Sequence, residues 1–121
     1  MNRPVTIYAL CEPSTNEIRY IGQTKNPDTR LYFHVMESRS TPTYRKSRWI
    51  NLLMELDCPP VFCTIVVVDA DRADEEEVRQ IQQGRIAGLN LLNRSAMAIG
   101  GVAKQRKQAQ AKQRKRNIFR N

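Results

Sequence analysis

The chain has 121 residues, enough for one modest core, and no run in it approaches the ~18–20 consecutive apolar residues of a membrane span. Three cysteines (Cys11, Cys58, Cys63) without a CxxC pair, beside one histidine, argue against a disulfide framework and against a closed zinc site. The net charge of +8 resides in residues 102–121, where Lys104, Arg106, Lys107, Lys112, Arg114, Lys115, Arg116 and Arg120 stand without an acid; residues 1–101 are left neutral.

The opening Met1-Asn2-Arg3-Pro4 leads into strand-like sequence with no apolar signal-peptide core, so a cytoplasmic location is expected. Val5 to Cys11 is β-prone and stopped by Pro13, and Glu17 to Gly22 reads as a second strand after the turn residues Glu12 to Asn16. With Ser14 at the middle of the turn, Tyr8 opposes Tyr20 and Leu10 opposes Ile18, which puts both tyrosines on one face. Asn26-Pro27 fits an N-cap followed by proline at the first helical position. The helix that follows, to about Ser38, places Arg30, Phe33, His34 and Glu37 at i, i+3, i+4 and i+7, on a shared face. A polar loop leads to a second helix, about Tyr44 to Leu56, whose Trp49, Leu52, Leu53 and Leu56 read as a core-facing stripe.

Val61 to Val68 is β-branched and almost wholly apolar, the pattern of a buried third strand. Asp71 to about Ala87 is a third helix, with acids in its first turns where the helix dipole favours them and Gly88 as its cap. Leu89 to Asn93 is a short apolar segment, and Gly100-Gly101 ends the body. Ala103 to Arg116 carries charge and amide all round, as a segment does that stays disordered or marginally helical until it meets a partner. The expected organisation is a body, residues 1–101, and a basic nucleic-acid-binding tail, residues 102–121. The body should be a small α/β (α+β) fold: a three-stranded antiparallel sheet flanked by helices.

Within the body, Tyr8, Tyr20-Ile21-Gly22, Arg30, His34, a glutamate of the third helix and Asn93 form an ordered set. In that set the sequence resembles the GIY-YIG nuclease family. The first motif stands as Thr6-Ile7-Tyr8, the second as Tyr20-Ile21-Gly22, the Arg-x-x-x-His element as Arg30 to His34, and the Glu-x-x-x-Ile element as Glu77 to Ile81. Leu91-Leu92-Asn93 and Gly100-Gly101 follow, so the resemblance covers about residues 5–101. Two positions depart from the pattern. Thr6 replaces the leading glycine, at a position that serves the backbone, and Gln23 stands where many members carry lysine.

The resemblance implies hydrolysis of DNA phosphodiester bonds by a single-metal mechanism with a tyrosine close to the attacking water. Glu77 would hold one Mg²⁺ or Mn²⁺, since a lone carboxylate suits a hard cation that keeps most of its waters. Arg30 offers a planar fork matched to phosphate oxygens. Tyr8 or Tyr20 would be the general base, Tyr8 being preferred; metal, Arg30 and His34 would have to lower a pKa that is ordinarily about 10. Gly22 is a structural element of the motif, and the Asn93 amide orders groups around the metal. The side chains of Tyr8, Tyr20, Arg30, His34 and Glu77 are accordingly expected on one concave surface about 10 Å across.

The tail would bring the body to double-stranded DNA through phosphate contacts, which carry little base readout. Target preference would then come from the body, from a homodimer or from a partner protein. Two rivals fit the same residues less fully: a catalytically weak or inactive nucleic-acid-binding module on the same fold, which Gln23 favours, and a small basic RNA-associated protein needing no metal.

Overall fold

The computed structural model describes residues 3–93. The basic tail, the Gly100-Gly101 pair and the boundary between body and tail lie outside the described residues. Strand β1 (Pro4–Cys11), strand β2 (Ile18–Thr24), helix α1 (Pro27–Ser40), helix α2 (Arg45–Glu55), strand β3 (Val61–Asp69) and helix α3 (Ala73–Ile86) follow in that order, with a single 3₁₀ turn at Ala70–Arg72 before α3. They form an α+β fold on one antiparallel sheet of order β2-β1-β3.

The order of the sheet decides which strand is buried. β1 is central, and every residue from Val5 to Cys11 is buried. β3, expected as the buried strand, is an edge instead: Val61 and Val67 are exposed, and only alternate stretches turn inward. β-branched residues favour extended backbone whether or not they are covered, so its apolar run reported strand propensity rather than depth.

The sheet has a different core on each face. Tyr8, Leu10, Tyr20 and Ile50 pack together on one, with Leu31, Val35, Trp49 and Phe62 against them; this face belongs to α1 and α2. Ile7, Ile21, Ile81 and Leu91 pack on the other, which α3 covers. The α2 contribution differs from the expected stripe. Ser47, Ile50 and Leu53 are its buried residues, while Leu52 and Leu56 are 54% and 62% exposed. Ile50 and Leu53 are three apart, and the inward line continues back through Ser47, a small polar residue that a search for apolar spacing passes over.

The first hairpin also pairs differently from the expected register. Tyr8 lies opposite Gly22 and Leu10 opposite Tyr20, with an irregularity between Leu10 and Cys11 that leaves Arg19 unmatched. Asn16, at φ 63°, takes the left-handed turn conformation that Asn tolerates. The shift still keeps Tyr8 and Tyr20 on one face, because Leu10 lies two residues from Tyr8 and directly across from Tyr20.

The helix ends follow their chemistry unevenly. Asn26 occupies the N-cap position of α1 but makes no side-chain cap bond. α3 ends as expected at Gly88, at φ 90°: Leu89 N–H donates to Gly84 C=O at 2.9 Å and Gly88 N–H to Arg85 C=O at 3.0 Å, the paired bonds of a Schellman cap. That cap turns the chain back along β2. Leu92 N–H then donates to the carbonyl of Arg19 at 2.6 Å, and the Arg19 Nε donates to the carbonyl of Asn90 at 2.9 Å. Among the described residues no helix is long and apolar enough to cross a membrane.

Candidate active site

Tyr8 sits at the middle of β1 with its ring fully buried, stacked on Phe62 of β3 at 4.7 Å between centroids. Its hydroxyl points toward α1 and meets two nitrogen atoms there. Arg30 Nε donates to it at 3.2 Å, and His34 Nε2 lies 2.5 Å away. Tyr20 completes the cluster, its ring edge-on to the His34 ring at 5.3 Å and tilted 46° against Tyr8 at 6.4 Å. Gly22 makes this packing possible. A Cβ at Gly22 would stand 2.7 Å from the Tyr8 hydroxyl oxygen and 3.0 Å from the Tyr20 ring, inside van der Waals contact of both.

The shared face expected on α1 is split by the helix geometry. His34 is fully buried and Arg30 is half-buried, whereas Phe33 and Glu37 are exposed. Residues three and four apart fall on either side of the helical line through Arg30, so only His34 follows it inward. Arg30, Phe33, Met36, Glu37 and Ser40 line a shallow depression beside the buried cluster. Among the described residues the only hydrogen bond of Arg30 uses Nε, which leaves its terminal nitrogens for a ligand.

Glu77 reaches the site from α3, and its charge acts on both Tyr8 and Tyr20. α3 packs on the opposite face of the sheet, and Glu77 lies on its sheet-facing line with Ala73, Ile81 and Gly84. There Gln23 Nε2 donates to the Glu77 Oε1 at 2.8 Å and to the Asp74 Oδ1 at 2.7 Å. α1 and α3 thus approach β2 from its two faces. Successive strand residues point to opposite faces about 3.3 Å apart along the strand. Gly22 lies under the Tyr8 hydroxyl and Gln23, the next residue, holds Glu77. Because β2 is an edge strand and Gly22 has no side chain, little separates the two faces there, and the Glu77 charge is felt by both tyrosines.

Asn93 occupies the free side of that same edge. Its Oδ1 accepts from the Ile21 N–H at 3.0 Å and its Nδ2 donates to the Ile21 carbonyl at 2.7 Å, both in buried positions. The side chain thereby acts as a one-residue strand partner and fixes the backbone between Tyr20 and Gly22. Arg85 Nη2 in turn donates to the Asn93 carbonyl at 2.9 Å. With both amide atoms committed to Ile21, Asn93 orders the strand that carries the site.

Burial dominates the electrostatics. It pushes the Tyr8 phenol up to about 12, against the opposing pull of the Arg30 charge and hydrogen bond, with Glu77 and Glu37 adding to the rise. Burial likewise raises Tyr20, and the neighbouring Tyr8 and Glu77 charges raise it further. His34 is held well below 6.5, first by burial and then by the cations Lys46 and Arg30, so its ring is neutral. Lys46 belongs to this centre and was not marked by the sequence pattern. It is the second residue of α2, with Nζ 3.2 Å from the His34 Nδ1. A signal did exist: the first turn of α2 carries Arg45 and Lys46 and no acid, against the preference of the helix dipole.

The family model of the GIY-YIG catalytic domain matches residues 4–84. The chain belongs to the GIY-YIG nuclease family. The match takes in Tyr8, Tyr20, Gly22, Arg30, His34 and Glu77; Asn93 lies beyond it, tied in by its two bonds to Ile21. No curated protein and no solved structure matches the chain. For a GIY-YIG domain, nuclease chemistry is the general implication.

Proposed function

We propose that the chain is a divalent-metal-dependent DNA endonuclease in which Tyr8 is the general base. The observation that carries this reading is the Tyr8 hydroxyl oxygen, which accepts from Arg30 Nε and lies against His34 Nε2. Donors on a phenolic oxygen favour its ionised form, and a phenolate is the form that takes a proton from water. Among the described residues no donor bonds the Tyr20 hydroxyl; its ring walls the cluster.

Hydrolysis needs three services, and the chain has a candidate for each. Tyr8 accepts the proton of the attacking water. Arg30 keeps its terminal nitrogens for the phosphate oxygens, where a guanidinium fork neutralises charge and fixes orientation. Glu77, a half-buried carboxylate held by Gln23, fits a hard cation with oxygen ligands, so Mg²⁺ or Mn²⁺ is proposed there. Such an ion, when bound, would neutralise charge on the phosphate and the leaving oxygen. The fit has an electrostatic side: the Glu77 charge, taken alone, raises the tyrosines, and a bound cation would reverse that influence. Double-stranded DNA is the proposed partner, and the tail residues Lys104, Arg106, Lys107, Lys112, Arg114, Lys115, Arg116 and Arg120 its long-range attraction. A second copy or a partner protein would supply target preference.

The test is plasmid cleavage in Mg²⁺ or Mn²⁺, with and without EDTA. Wild-type protein should cut only with metal. Glu77→Ala and Arg30→Ala should each lose roughly 10²-fold or more in rate, as removal of a charge stabiliser does. Arg30→Ala should still bind DNA. A protein that binds plasmid but leaves it intact in both metals would be a binding module on a nuclease fold.

A further inference from the structure

The imidazole of His34 can face the Tyr8 hydroxyl in two opposite senses. A neutral ring carries its proton on one nitrogen and a lone pair on the other. If Nε2 holds the proton, the ring donates to Tyr8 and supports its phenolate. If Nε2 holds the lone pair, the ring accepts the phenolic proton and supports the neutral phenol. The choice is made at the other nitrogen, Nδ1, and the group there is Lys46, with Nζ at 3.2 Å.

An ammonium has three donors and no acceptor. Facing it, Nδ1 must offer a lone pair, since an N–H would set donor against donor. A histidine oriented by a carboxylate or a carbonyl on Nδ1 is turned the other way, into a proton acceptor at Nε2. Here the polarity is inverted. We propose that Lys46 is a positioning residue that holds His34 as the Nε2–H tautomer, so that the ring donates to Tyr8. The ammonium is itself held in place. It pairs with Glu37 at 3.4 Å, lies 4.7 Å above the Tyr20 ring, and is only 16% exposed. Glu37, one helical turn beyond His34 on α1, therefore belongs to the same device as its outer anchor.

The consequence for catalysis rests on the reading of Tyr8 as base, but the tautomer is measurable without cleavage. His34 is the one histidine of the chain, so the imidazole nitrogen signals of ¹⁵N-labelled full-length protein belong to one residue, and their couplings to the Hδ2 and Hε1 ring protons tell Nε2 from Nδ1. At neutral pH the wild type should show Nε2 in the protonated, pyrrole-like range and Nδ1 in the unprotonated, pyridine-like range. Lys46→Met keeps the chain length and removes the donor. Its spectrum should move toward a mixture of tautomers, and kcat for DNA cleavage should fall roughly 10- to 100-fold with KM nearly unchanged, by analogy with the loss of a partner that orients a metal-bound histidine. Lys46→Arg retains a donor and should retain the wild-type pattern. Should Lys46→Met fail to fold, the wild-type and Lys46→Arg spectra decide.

A protonated Nδ1 in the wild type would overturn the proposal, as would a wild-type spectrum in Lys46→Met. A shifted tautomer with unchanged cleavage would uphold Lys46 as the tautomer-setting group and instead defeat the role given to Tyr8.

Discussion

At the scale of single residues, burial holds three ionisable groups of the site, His34, Tyr8 and Tyr20, in their neutral forms among the charges of Arg30, Lys46 and Glu77. His34 is neutral because burial, then Lys46 and Arg30, oppose its protonation. Tyr8 and Tyr20 are neutral because burial opposes their ionisation. Each departs from the unfolded chain in a known direction, which fixes how stability must vary with pH. Below about pH 6.5 an unfolded chain binds a proton on its histidine that the folded protein refuses, so stability falls as pH drops through that value. Above about pH 10 unfolded tyrosines release protons that the folded ones keep, so stability falls again as pH climbs toward the folded value of about 12 for Tyr8. Urea unfolding in EDTA should therefore show a plateau from about pH 6.5 to 9, where the Cys11 thiol, pushed up to about 11 by burial and by Cys63, opens the alkaline limb; each group contributes a slope of up to about 1.4 kcal/mol per pH unit outside it. His34→Gln should flatten the first part of the acid limb. An acid limb that begins only near pH 4, where carboxylates titrate, would mean that folded His34 is protonated or open to water.

At the scale of elements, β2 is the part on which the site depends. It is an edge strand with Tyr20 and Gly22 on one face and Gln23 on the other, and the bonds from Asn93 close its outer side. Asn93→Ala would leave the Ile21 N–H and C=O without partners. It should destabilise the fold by about 1–3 kcal/mol, the cost of unsatisfied buried groups. Amide exchange at Ile21 should quicken, while β1 keeps its protection; unchanged exchange at Ile21 would show that water replaces the side chain without penalty. The elements differ in how legible they were. The hairpin, α1 and the glycine-capped α3 were readable because turn residues, Pro27 and Gly88 act locally. The α2 stripe and the burial of β3 were not, since both depend on sheet order, which is set by long-range pairing. The tyrosines, Arg30 and His34 could be placed together from strand alternation and helical spacing. That Glu77 approaches from the other face could not, because nothing local says on which side of a sheet a later helix packs. Lys46 was missed for a related reason: its place in the site is fixed by the packing of α2 on α1, through bonds such as Asn51 Nδ2 to the Ser38 carbonyl at 3.0 Å.

At the scale of the whole molecule, charge and chemistry are separated along the chain. Residues 1–101 hold basic and acidic side chains in equal number, and the excess of +8 belongs to residues 102–121. A neutral body has little long-range pull on a duplex, while a tail of cations releases counterions at each phosphate it neutralises. The proposed tail should thus set affinity and its salt dependence, and the site of β1, β2, α1 and α3 should set turnover. A chain ending at Gly101 should bind DNA more weakly. The slope of log K against log salt should flatten by about 0.9 for each duplex phosphate that the tail no longer neutralises. At saturating DNA its kcat should change little, because Tyr8, Arg30, His34 and Glu77 all precede the cut and Asn93 still closes the edge of β2. The opposite pattern would be equally decisive. A truncated chain that kept its salt slope but lost turnover would mean that the tail completes the catalytic fold, and the division at residue 101 would have to be abandoned.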